Sequence, residues 1–72
     1  MRIIFNCMRV QPNDIERMQV KNILEQNISM LINKEGQDIT LIDEVGAIFL
    51  NKVGDELEVI DFCITDKIIH TN

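Results

Sequence analysis

The chain has 72 residues, 46% of them hydrophobic, and a formal net charge of −5. That describes a single domain spanning 1–72. It is too apolar for intrinsic disorder and too acidic overall for a protein that works by neutralising phosphates. A chain this short buries only about 60% of its unfolded surface, so no large core is available and help from a partner or a second copy is expected.

No window approaches the roughly 18 consecutive apolar residues of a membrane span. The first ten residues hold one short apolar run, broken by Asn6 and Arg9, unlike a secretory signal. A cytoplasmic location with reduced thiols is therefore the expectation. Charge is unevenly placed. Residues 1–34 hold five cations against three acids, a net of +2, whereas residues 35–72 hold two cations against nine acids, a net of −7.

The first element in chain order is a strand over Arg2 to Val10. Ile3, Phe5 and Cys7 give it one apolar face, while Ile4, Asn6 and Met8 give a mixed one. That pattern suits a central or near-central position. Pro12 ends the strand, because it cannot donate a ladder hydrogen bond.

A helix follows from Asp14 to Gln26. Asn13 or Asp14 is the natural N-cap, and Glu16 sits in the first turn. Val20, Ile23 and Leu24 form the apolar stripe, with Ile15 and Met18 to the side. Arg17 and Lys21 place a small basic patch on the outer surface. Residues 27–33 fit two descriptions. As helix, Ile28, Leu31 and Ile32 prolong the stripe; as strand, Ile28, Met30 and Ile32 share a face. The regular 24/28/31 spacing, and Lys34 followed by Gly36, favour helix to about Leu31 or Ile32.

From Ile39 onward the chain is a series of short runs rich in Ile, Val and Phe, separated by Glu44-Val45-Gly46 and Lys52-Val53-Gly54-Asp55. This spacing predicts strands at 38–43, 47–51 and 56–65 joined by hairpin turns. The last strand contradicts itself. Leu57 and Val59 put odd positions inside, yet Ile60, Phe62 and Ile64 put even positions inside. One residue of slip reverses the faces, which predicts a β-bulge near Val59-Ile60. The fold class is thus α+β: β-α-β-β-β, a small antiparallel sheet with one helix packed on one face.

Catalytic equipment is lacking. Cys7, Cys63 and His70 are the only soft or imidazole ligands, one short of a structural zinc site and without its spacing. The two thiols read as buried strand residues with apolar or acidic neighbours, which disfavours the thiolate. The three glycines stand alone, so there is no phosphate-cradling loop. No enzyme activity, metal or cofactor is expected.

Acidic residues are the more informative group. Asp43 and Glu44 fall at one turn, and Asp55, Glu56 and Glu58 at or beside the other, whether or not the two turns share an end of the sheet. They read as either solvated turns or a surface that steers onto a basic partner, with Asp14, Asp38, Asp61 and Asp66 as outlying members of the same field. Ile68 and Ile69 lie in the tail, either completing the last strand against the helix or anchoring another chain. The leading expectation is a small regulatory or inhibitory protein that binds another protein through these residues. A nucleic-acid-binding enzyme with a basic cleft is one such partner. A homodimer or other structural assembly is the alternative. Direct nucleic-acid binding through Arg2, Arg9, Arg17 and Lys21 is the weakest reading, because stacking aromatics are scarce. Thirteen Ile and seven Asn against one Ala resemble the drift of an AT-rich genome, such as a low-GC bacterium or its phage. Phage anti-host proteins, antitoxins and immunity proteins are analogous in kind.

Overall fold

The computed structural model describes residues 1–65. Strand β1 (Arg2–Phe5) leads to helix α1 (Asp14–Gln26) and a single further turn, α2 (Ile28–Leu31); strands β2 (Gly36–Asp43), β3 (Gly46–Val53) and β4 (Glu56–Ile64) follow. The sheet order is β1-β4-β3-β2. β2, β3 and β4 form the expected antiparallel meander, and the fold is α+β with the main helix on one face.

Two expectations are corrected. The sheet is mixed, because β1 pairs with β4 in parallel, Arg2 with Glu56 through Phe5 with Val59. β1 is also an edge strand of four residues, not a central one reaching Val10. The cause lies in its partner. Beyond Val59 the β4 backbone bulges, so the ladder that β1 follows loses its register there. The Asn6 N–H makes one last bond to the Val59 carbonyl at 2.9 Å, and the chain then leaves the sheet.

The bulge falls where the sequence conflict places it. Phe49 pairs with Asp61 and Leu50 with Val59, leaving Ile60 unopposed. Val59 and Phe62 are both buried, with two residues between them instead of one. Ile60 itself does not join the core, contrary to the even-inside pattern, and turns to the other face with Asp61.

Helix α1 starts with a reciprocal cap. Asn13 Oδ1 accepts from the Glu16 N–H at 2.8 Å, and Glu16 Oε1 accepts from the Asn13 N–H at 2.9 Å. It stops at Asn27, whose side-chain amide donates to the Ile23 carbonyl at 2.7 Å. That bond occupies the acceptor four residues back, so the backbone there departs from helical geometry. Helical structure nevertheless resumes through Leu31, as the 24/28/31 spacing favours. Val20, Ile23, Leu24 and Leu31 pack on Leu41, Ile48, Leu50, Leu57, Val59 and Phe62 to form one core. Fully burying each such side chain contributes about 1.5–3 kcal/mol before chain entropy is subtracted.

Both hairpins use tight loops. Of Gly54 and Asp55, only Gly54 has positive φ, at 59°, which matches a type II′ turn. At the other end Gly46 lies against β4. A Cβ there would sit 2.0 Å from the Cys63 carbonyl oxygen, so the position admits only glycine.

Candidate functional site

Strand alternation divides the sheet into a face covered by helix and a face no described element covers. On the open face the register builds four rows across the strands. From the β3–β4 turn these are Arg2–Glu56–Val53, Ile4–Glu58–Asn51, Asp61–Phe49–Thr40 and Cys63–Ala47–Ile42. The surface is thus apolar at intervals and acidic along β4. Ile42 is 76% and Val53 70% exposed.

Glu58 anchors the middle of this face. Its carboxylate accepts from the Asn6 amide at 2.8 Å and from the Asn51 amide at 3.2 Å, one on either side. Asn51 Oδ1 in turn accepts the Asp38 N–H at 2.9 Å. The chain of bonds ties the end of β1 to β4, β3 and β2. These two amides, Asn6 foremost, hold the Glu58 carboxyl below the ordinary glutamate range. Asp38 sits at φ 60°, a left-handed backbone that aspartate tolerates better than most residues.

The acidic residues singled out from sequence do not form one patch. Successive turns of a meander lie at opposite ends of the sheet, about 25 Å apart for strands of this length. Asp43 and Glu44 therefore stand far from Asp55. Asp43 also faces the helix side, where it lines a cleft of about 190 Å³ with Gln19, Asn22, Ile23, Gln26, Val45 and Ile64. Glu56 and Glu58 do share the open face, and Asp61, an outlying member of the acidic field in the sequence, joins them. Its signal was present in the predicted bulge, which presents it. Ile68 and Ile69 lie outside the described residues.

Around Phe49 the open face dips into a depression of about 340 Å³, lined by Asp38, Thr40, Phe49, Ile60 and Asp61. Asp61 Oδ1 accepts the Phe62 N–H at 2.8 Å, which fixes the carboxylate, while Oδ2 meets Arg9 Nε at 3.2 Å.

Arg9, Arg17 and Lys52 are engaged in ion pairs. Arg17 bonds the Pro12 carbonyl at 2.7 Å and pairs with Asp14, so it is no free basic patch with Lys21. Cys63 is exposed on the open face, not buried as its strand position suggested. Cys7 is half-buried, and burial, then the nearby Asp61 charge, pushes its thiol up. Among the described residues no helix is long and apolar enough to cross a membrane, and no three His, Cys, Asp or Glu side chains converge as metal ligands. No family model, curated protein or solved structure matches the chain.

Proposed function

We propose that this domain regulates or inhibits another protein by laying the open face of its sheet on a basic surface of that protein. The observation that supports the reading is the composition of that face. Ile4, Ile42, Phe49, Val53 and Ile60 offer apolar area, and Glu56, Glu58 and Asp61 supply a local negative field. The net charge of −7 over residues 35–72 reinforces the steering. Phage anti-host, antitoxin and immunity proteins are the analogous kinds, and a nuclease or similar enzyme with a basic cleft is a fitting target.

Affinity capture from an AT-rich bacterial host, with and without charge reversal, tests the reading. Glu56→Lys with Asp61→Lys removes a salt-sensitive partner, and Asp43→Lys with Glu44→Lys leaves it bound. The opposite order of effects rejects the open face as the docking surface. A second reading, self-assembly through the same face, is favoured by the spread of Ile42 and Val53 to its two ends. It requires a dimer by light scattering that persists in high salt.

A further inference from the structure

The depression at Phe49 exists because of one surplus residue. A regular β4 would present a single side chain between Val59 and Phe62; the bulge presents two, Ile60 and Asp61, both toward the open face. With Phe49 on β3 and Asp38 and Thr40 on β2, they make a hollow with an aromatic ring and an aliphatic wall between carboxylates from two strands.

We propose that this hollow receives an arginine side chain from the partner protein. The inference rests on the open-face reading and names the group that face takes. A purely apolar side chain would strip water from Asp38 and Asp61 without replacing its hydrogen bonds. An acidic one would be repelled. Arginine meets both demands, with its methylene stem against Ile60 and its planar guanidinium over Phe49 and forked to a carboxylate. Asp61 is prepared for this role. The Phe62 N–H holds one carboxylate oxygen, and the other already pairs with the guanidinium of Arg9, a side chain 81% exposed. Arg9 therefore stands as an internal competitor for the incoming cation.

The test uses the full ¹⁵N-labelled chain and two probes, acetyl-Gly-Arg-Gly-Arg-Gly-amide and its lysine counterpart. Amide shifts are expected to saturate and to concentrate on Thr40, Phe49, Ile60 and Asp61, with the arginine peptide binding several-fold tighter. Asp61→Asn and Phe49→Leu each weaken it by about 3- to 10-fold, the scale of one exposed charged or cation–π contact. Arg9→Gln tightens binding more than Arg2→Gln, which makes the same charge change at the far end of the face. The amide spectrum of each variant verifies folding. Equal loss from Asp55→Asn and Asp61→Asn, or no preference for arginine, overturns the proposal. Saturable shifts confined to the Glu56 and Glu58 rows overturn it too, but leave the docking face standing. No saturable shift anywhere on the open face removes both.

Discussion

Lys52 is 4% exposed, and its ammonium lies 3.3 Å from the carboxylate of Glu35, which also accepts the Gly54 N–H at 3.0 Å. A charge buried beside Leu57 at the rim of the core is thus held by one acid from the loop before β2. The same acid ties that loop to the β3–β4 turn. The two partners are unequal, since the Glu35 side chain is 62% exposed.

That inequality predicts an asymmetric response. Glu35→Ala leaves a buried ammonium uncompensated and an N–H unmet, and should lower the urea midpoint clearly. Lys52→Met keeps the stem's packing and leaves an acid that water can solvate, with a change of less than about 1 kcal/mol. Urea unfolding at pH 7 followed by circular dichroism checks the order. If Lys52→Met is the more damaging, the ammonium contributes more than its burial costs.

Acid should weaken the fold through two carboxylates. Glu35 is held below the ordinary range by the Gly54 N–H first and Lys52 second, and Glu58 by Asn6 and then Asn51. Folded values below unfolded ones mean stabilisation that is complete above the unfolded pKa of about 4.3 and is lost as pH falls through the folded values. Urea midpoints should be level from about pH 6 to 5 and decline below about pH 4.3, less steeply for Glu58→Gln. Carboxyl NMR titration reads the same groups directly, and a Glu58 midpoint at or above the unfolded value of about 4.3 would contradict the two-amide clamp.

The glycines at the two turns separate close approach from backbone conformation. Gly46→Ala drives a methyl into the Cys63 carbonyl and should cost roughly 2–4 kcal/mol by parting the β3–β4 ladder. Gly54→Ala meets open space and suffers only from its positive φ, a cost of about 1–2 kcal/mol. Matched denaturation curves decide it, with Gly46→Ala expected to have the lower midpoint.

Removing Ile60 offers the sharpest check on the bulge. With that residue deleted, Leu57, Val59, Phe62 and Ile64 fall on one face in unbroken alternation. The deletion variant should keep a dispersed amide spectrum and the same core contacts, yet lose preferential arginine-peptide binding. A collapsed spectrum would mean that the bulge serves folding instead of presentation.

The bulge was readable in advance because period-two patterning records a slip of one residue locally, in Val59 and Ile60 themselves. The meander and α1 were readable for the same local reason, through turn residues and the Val20–Ile23–Leu24 stripe. Pairing between β1 and β4 left no comparable trace, since nothing in Arg2–Phe5 names a partner more than fifty positions away. Lys52 looked like part of a turn separator, because its burial depends on Glu35 arriving from another loop. The separation of Asp43 from Asp55 follows from meander topology alone. Asp61 stood in the sequence as one of four outlying acids, and it is the register that sets it, unlike Asp14, beside Phe49.

The strand order carries a consequence for synthesis. Of the described strands β1 is made first, yet among them it neighbours β4 alone, so during translation it waits without that partner until residues 56–59 have cleared the ribosome. Local closure of the two hairpins can precede it, whereas docking the earliest strand is a long-range event and thus slow. A nascent chain arrested before Glu56 should therefore remain sensitive to protease at its amino end.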